Sequence, residues 1–426
     1  MITLNSEQRE AVDKMHEFLK GKNQMFMLEG SAGTGKTTCV QTLLRETPDK
    51  VFALSAPTNK ATKVLREVSE REGITAECRT IYSLLGLRIS KDSEFVQIEP
   101  LGDSAVMDYD VVVIDESSMV NAKLFDFVCD AVAASDVKII FMCDPLQLPP
   151  VKEARSPTLE IRNKFVLSKV ERHDNQILAF ATGLRESILN GTMPTFESDN
   201  DDKGGVFCVD WRRMQKQLEK AYTSDSYLSN QGNIKTIAWR NDTVAHYNAF
   251  VRKAIYGERA DVEDFILNER VVATHPIPKI DDERDIRMVT DEEADVVALQ
   301  TGPHPMFGDI NCYWLTMESE FSELWAYGFV VHADSRRAYD ARLNQLAEQA
   351  RKKALPWSSF WGYKHTYFHD IRPCHAITAH RSQGSTYEST FVDVEDIMAN
   401  YNRAEALRCL YVAATRAQRV LVMKTR

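Results

Sequence analysis

The chain has 426 residues, 44% of them hydrophobic and 27% charged, with a net charge of −10. That length exceeds one ordinary core, so two to four domains are expected, and the acid excess excludes binding of polyanions by general basicity alone. No apolar run approaches the roughly 20 residues that span a bilayer, and none of the eight cysteines forms a C-x-x-C pair.

The opening, MITLNSEQRE, lacks the layout of a signal peptide, so a cytoplasmic protein with reduced thiols and no membrane partner is expected. The first predicted strand and helix are joined by GSAGTGKTT, residues 30–38. Gly30, Gly35, Lys36 and Thr37 complete the pattern G-x-x-x-x-G-K-[ST], with Gly33, Thr34 and Thr38 filling out the loop. Without Cβ atoms the backbone curls until successive N–H groups face one anion, and the helix N-terminus adds positive partial charge. Lys36 is then placed to reach the outer phosphates of ATP, and Thr37 to ligate Mg²⁺.

VFALSAPTNKATKVLREV, 51–68, predicts a second strand, turn and helix, with Thr58, Asn59 and Lys60 at the helix N-terminus. One nucleotide needs one anion cradle, so the second is read as a site for a polyphosphate backbone. RTIYSLLG, 79–86, offers Thr80 and Ser83 in the same way, with a capped helix as the alternative. RISKDSEFVQIEPLGDS, 88–104, predicts a hairpin carrying Phe95.

DVVVIDESSM, 110–119, predicts an apolar strand that ends in Asp115 and Glu116. Adjacent strand residues face opposite sides, which suits one acid to a metal and the other to orienting water. Asp115 takes the metal role here and Glu116 that of the base. VKIIFMCDPLQLPPV, 137–151, repeats the design, and its Gln147 suits either a phosphate sensor or an ordinary strand-end turn.

Further strands and helices, among them IKTIAW, DTVAHYNAFVRKAI, TFVDVED, RAEALRCLYVAAT and RVLVMK, predict a second parallel α/β sheet. About 110 residues, 261–370, interrupt it, and their valines and aromatics predict a small β domain followed by a sparsely apolar helix. Two acidic blocks, 197–202 and 279–295, are read as solvated loops. The spacing of Trp357, Phe360 and Trp361 suits one helix face and favours packing. His365, His369, Cys374 and His375 include an H-x-x-x-H, but Pro373 precludes one helix through all of them, so they are read as ordinary residues and not as a zinc site. HAITAHRSQGST, 375–386, is a second polar, basic loop far from the first.

In chain order, LNSEQREAV, GSAGTGKTT, APTNKATKVL, TIYSLLG, VVVIDESSM, DPLQLPPV, VLSKVERHDNQI, ITAHRSQGST and LYVAATRAQ resemble the successive motifs of superfamily 1 helicases. PWSSFWGYK and AWRNDTVAHYNAFVRKAI resemble the RecD/Dda-like branch, superfamily 1B, in particular. The likeness covers most of the chain. Cys143 departs from it, standing where relatives usually have Gly, as do Asn59 and Tyr82, standing where they often have His.

The resemblance implies an α/β fold of two RecA-like P-loop NTPase lobes, 1–87 with 105–165 and 166–260 with 371–426. It makes the hairpin 88–104 a duplex-splitting pin and the insertion 261–370 an SH3-like β domain with a helical extension. It implies an ATP- and Mg²⁺-dependent helicase that moves 5′ to 3′ on single-stranded DNA. Gln8 would read adenine, Arg172 and Arg416 would serve as arginine fingers, and Gln383 and Gly384 would sense the nucleotide. Thr378 and His380 would join Thr58, Asn59, Lys60 and Thr80 near strand phosphates, and Phe95 would stack on a base or lie half-buried in its hairpin. Arg416 also suits a plain helix-end cation. Expected partners are single-stranded and forked DNA and a single-strand-binding or replication protein, with the enzyme monomeric. The alternatives are a translocase or nuclease-complex subunit that unwinds little, and an RNA helicase.

Overall fold

The computed structural model describes residues 4–90, 97–133, 135–169, 176–280, 282–319 and 325–425. The first sheet is fully parallel, with strands in the order Glu77–Thr80, Phe52–Ala56, Val111–Ile114, Lys138–Cys143, Met25–Gly30 and Lys164–Leu167. Its central strands are near-continuous apolar runs because both faces are covered. Val111 and Val113 face a core shared with the helices Ser6–Lys20, Lys36–Glu46 and Asn59–Arg71. Val112 and Ile114 face the opposite core, under the helix Ala122–Val132.

The second sheet runs Ala376–Thr378, Ile234–Ala238, Tyr387–Asp393, Ala417–Lys424, Gly204–Val209 and Asp199–Asp201. It is parallel except at its edge, where Asp199–Asp201 pairs antiparallel with Gly204–Val209. The first lobe carries polar loops at the C-terminal ends of its strands Met25–Gly30 and Val111–Ile114, where open α/β sheets generally bind ligands, whereas Arg416 of the second lobe lies at the N-terminal ends of Tyr387–Asp393 and Ala417–Lys424.

Between the strands of the second sheet the chain builds a five-stranded antiparallel sheet, ordered Trp325–Val331, Asn311–Ser319, Glu293–Pro303, Arg270–Ala273 and Ile371–Pro373. Ile371–Pro373 therefore belongs to the insertion and not to the second lobe, and Lys164–Leu167 extends the first lobe just past residue 165. Strand pairing, which a linear reading does not reveal, sets both boundaries. The acidic block 279–295 is no solvated loop either, since Glu292 and Glu293 are only 3% and 7% exposed. The helix Arg336–Arg351 buries Tyr339 and Ala350 and leaves most of its polar length in solvent.

Leu87–Ser90 pairs antiparallel with Gln97–Pro100, forming the hairpin expected in the first lobe. Its Phe95 lies outside the described residues, as does Arg172. All eight cysteines are free thiols. No helix among the described residues is long and apolar enough to cross a membrane.

Candidate active site between the two lobes

The strand Met25–Gly30 delivers the chain into a loop that the helix Lys36–Glu46 closes. Gly33 and Gly35 hold φ of 81° and 87°, and a Cβ on Gly35 would lie 2.3 Å from Gln8 Nε2. Only glycine suits that backbone and that approach. Gln8 braces the loop, accepting the Asn5 N–H at 3.1 Å and donating to the Thr34 carbonyl at 3.1 Å. Lys36 donates to the carbonyls of Gly30 and Ser31 at 2.6 and 3.1 Å, so its ammonium is held at the loop itself. Thr37 and Thr38 follow in the helix's first turn.

The strand Val111–Ile114 ends in Asp115, whose carboxylate accepts the Glu116 N–H at 2.8 Å. Glu116 has a left-handed backbone, φ 50°, uncommon for any residue but glycine and a form of strain that gathers at functional sites. Burial raises the pKa of both carboxyls. At Glu116 the Asp115 charge adds to that rise, while Arg416 and Lys36 oppose it. Charges from both lobes therefore act on one carboxyl.

Arg416 ends the helix Arg403–Thr415 and is 5% exposed. Its guanidinium donates to the carbonyls of Val412 and Ser385 at 3.1 and 3.0 Å and to the Thr415 hydroxyl at 3.1 Å. These bonds fix its direction without neutralising it, and no described carboxylate forms an ion pair with it. That is how a cation kept for a transferring phosphoryl group should be held.

The segment after Lys138–Cys143 ties the lobes together. Tyr411 donates its hydroxyl to Asp144, Arg408 donates to the carbonyls of Pro145 and Gln147 at 2.8 and 2.7 Å, and Gln383 donates to the Leu148 carbonyl at 3.4 Å. Leu146 and Leu148 are buried in the second lobe's core. Gln147 Oε1 is buried without a partner among the described residues. An unsatisfied buried acceptor costs about 1–3 kcal/mol, so Gln147 fits a sensor of ligand or water better than an ordinary turn. Gly384, φ 72°, abuts the first lobe so closely that a Cβ there would lie 2.8 Å from Ala61 Cβ. The glycine cradle, the paired acids and the orphaned Gln147 oxygen together fit a nucleoside triphosphate and its divalent metal.

On the neighbouring face, the Thr58 and Thr80 hydroxyls cap helices, each accepting a backbone N–H at 3.2 Å, from Ala61 and Ser83 respectively. Asn59 opens the helix that Thr58 caps. Lys60, in the first turn of that helix, has its ammonium 3.1 Å from Glu293 of the inserted sheet and is 14% exposed. Thr378 accepts the Arg381 N–H at 3.3 Å, and His380 stands 3.6 Å from Glu405. Burial holds the His380 imidazole below its usual pKa, with Glu405 opposing.

His365, His369, Cys374 and His375 do not converge. His375 pairs with the Tyr227 hydroxyl at 2.7 Å, His369 accepts the Phe329 N–H at 2.9 Å, and His365 stacks on His275 at 3.6 Å. Phe360 and Trp361 pack on each other at 4.9 Å, with Lys364 Nζ 5.3 Å from the Trp361 ring. Asp144, Arg408 and Tyr411 escaped the sequence reading. Their signal was Arg408, the lone charge in the apolar run ALRCLYVAA.

A family model for an AAA domain matches residues 3–189, and one for a UvrD-like helicase C-terminal domain matches residues 373–423. An uncharacterized protein of Acanthamoeba polyphaga mimivirus is 25% identical over 495 aligned residues, 97% of this chain and 98% of its own. The ATP-dependent DNA helicase dda of Enterobacteria phage T4 is 25% identical over 453, again 97% of this chain and 98% of its own. Among solved structures, Pif1 helicase from Bacteroides in complex with ADP-AlF3 and ssDNA superposes with a TM-score of 0.53 at 14% identity, covering 99% of this chain and 92% of that one. That likeness speaks for the fold, two RecA-like lobes.

Proposed function

Because the chain belongs to the RecD/Dda-like superfamily 1 helicases, we propose that it is an ATP-dependent DNA helicase that moves 5′ to 3′ on single-stranded DNA and unwinds duplex ahead of it. The observation that carries this reading is the joining of the lobes beside the glycine cradle and the paired acids, where Tyr411 and Arg408 of one lobe donate to Asp144, Pro145 and Gln147 of the other. A site assembled from two lobes makes hydrolysis depend on their closure, and closure shifts one lobe's grip along a strand.

In this reading the backbone N–H groups of the loop 30–38 and Lys36 hold the phosphates of ATP, while Gln8 meets the adenine. Thr37 and Asp115 would hold Mg²⁺, which supplies charge neutralisation at the β- and γ-phosphates. Glu116 orients the attacking water and takes its proton, and Gln147, Gln383 and Gly384 register the γ-phosphate. Arg416, with Arg172 as a second finger, stabilises the charge of the transferring group, an effect worth about 10³ to 10⁵ in rate in other phosphoryl-transfer enzymes. Thr58, Asn59, Thr80, Thr378 and His380 line the strand's path, with Lys60 joining them once released from Glu293.

The hairpin 88–104 acts as the pin, with Phe95 stacking on a base at the fork, and the five-stranded insertion is an SH3-like domain. Single-stranded and forked DNA are its substrates, a single-strand-binding or replication protein its expected companion, and the monomer its working form. The test is ATP turnover with and without an oligo-dT strand. Stimulation by the strand, falling at least about 10²-fold in Lys36→Ala while strand binding persists, is expected. Turnover indifferent to the strand would remove the motor reading, and an equal response to RNA would move the substrate class.

A further inference from the structure

Resting on the reading of this chain as a strand-binding motor, we propose that Asp291 and Glu293 are positioning residues for strand binding. Both sit on one turn of the inserted sheet. They hold Lys60 and Arg381 until strand phosphates take their place.

The turn is rigid. Asp291 has a left-handed backbone, φ 63°, and donates its N–H to the Ala273 carbonyl at 2.9 Å. Between the two acids, the Glu292 carboxylate accepts the Val289 N–H at 2.6 Å and the Ser319 hydroxyl. A turn wired this way presents its two neighbouring carboxylates in fixed directions.

Each carboxylate grips a cation from a different lobe. Glu293 is anchored to the second lobe by Lys235, which is fully buried, lies 3.0 Å away and also donates to the Cys374 carbonyl at 2.7 Å. Arg270, at 3.3 Å, holds it from within the insertion. Lys60 is its partner from the first lobe, at 3.1 Å, and the most accessible of the three at 14% exposed. Asp291 pairs with Arg381, their side chains 35% and 29% exposed. It also acts electrostatically on Lys60, whose charge burial opposes but Tyr387, Glu293 and Asp291 sustain.

Lys60 stands in the first turn of the helix that Thr58 caps, and Arg381 donates its N–H to the Thr378 hydroxyl. Both cations therefore sit among the groups that this reading assigns to the strand. Carboxylate and phosphate compete for the same ammonium and guanidinium donors with charge-assisted bonds of similar geometry. Exchange is easiest for the pair that solvent already reaches, Arg381–Asp291, and among the three cations on Glu293 for Lys60. Lys235 and Arg270 meanwhile keep Glu293 paired when Lys60 leaves, so no lone charge remains buried. The insertion thus lowers each lobe's grip on the strand to a reversible one.

The test compares the two halves of one ion pair, Asp291→Asn and Arg381→Ala, by fluorescence anisotropy with labelled oligo-dT across a salt series. If the acid competes with phosphate, D291N tightens binding about three- to five-fold at low salt, the scale of a partly exposed ion pair. It also steepens the slope of log K against log salt by about 0.7, one single-strand phosphate contact. R381A shifts both quantities the opposite way, and D291N in the R381A background gives no gain through that cation. A pair that merely braces the fold makes both variants bind less tightly in parallel, and that result, or no change in either, overturns the proposal. Thermal unfolding of D291N and R381A checks that both are folded. Unaltered protein that fails to bind the strand at all would instead overturn the proposed function and this inference with it.

Discussion

The Glu116 carboxyl keeps its proton to higher pH than an ordinary glutamate, because burial disfavours its charge and Asp115 lies beside it. Its folded pKa stands above the unfolded value, so its contribution to stability is full below the unfolded value and is lost as pH rises through the folded one. As a base it works only when ionised, so hydrolysis moves the other way and rises across the same window. Turnover of the free enzyme is expected to show an acid limb above the usual carboxylate range. Glu116→Gln should remove both the limb and most of the rate, while raising the urea midpoint relative to the unaltered protein at pH 8. A midpoint that falls instead would mean the carboxylate is stabilised by its neighbours. The placement of Lys36, Thr37, Asp115 and Glu116 at the ends of a loop and a strand was legible in the sequence because short spacing fixes it. The partner of Lys60 was not legible for the converse reason, as Glu293 lies 233 positions away.

Among the elements, the parallel strands were legible because a strand covered on both faces has to be apolar throughout, as VVVI and IIFMC are. The short strands Asp199–Asp201 and Ile371–Pro373 carry no such pattern, and only their partners define them. The loop 375–386 was read as functional from its polarity, yet its contact with the first lobe depends on Ala61 lying under Gly384. Gly384→Val adds side-chain atoms at a position where even a Cβ meets Ala61 at 2.8 Å, on a left-handed backbone of φ 72°. It should hold the lobes apart. The expected outcome is ATP binding within about two-fold of the parent, as the cradle 30–38 is untouched, but strand-stimulated turnover lowered by at least about ten-fold, the measure of a catalytic group held an ångström out of line. Stimulated rates equal to the parent's would show that this contact does not transmit closure.

At the scale of the molecule, two RecA-like lobes and their insertion were expected from motif order, and their internal wiring was not. The segment Asp144–Leu148 belongs to the first lobe by sequence and to the second by packing, through Tyr411, Arg408 and the burial of Leu146 and Leu148. The acidic turn of the inserted sheet touches both lobes beside the proposed strand path. In the proposed motor such couplings would turn a nucleotide-dependent closure into movement along a strand, and movement has a direction. The most direct measurement is strand displacement from two partial duplexes, one with a 5′ single-stranded tail and one with a 3′ tail, in the presence of ATP and Mg²⁺. Displacement from the 5′-tailed substrate alone is predicted. Displacement from the 3′-tailed substrate alone, or from neither despite strand-stimulated hydrolysis, would contradict the account.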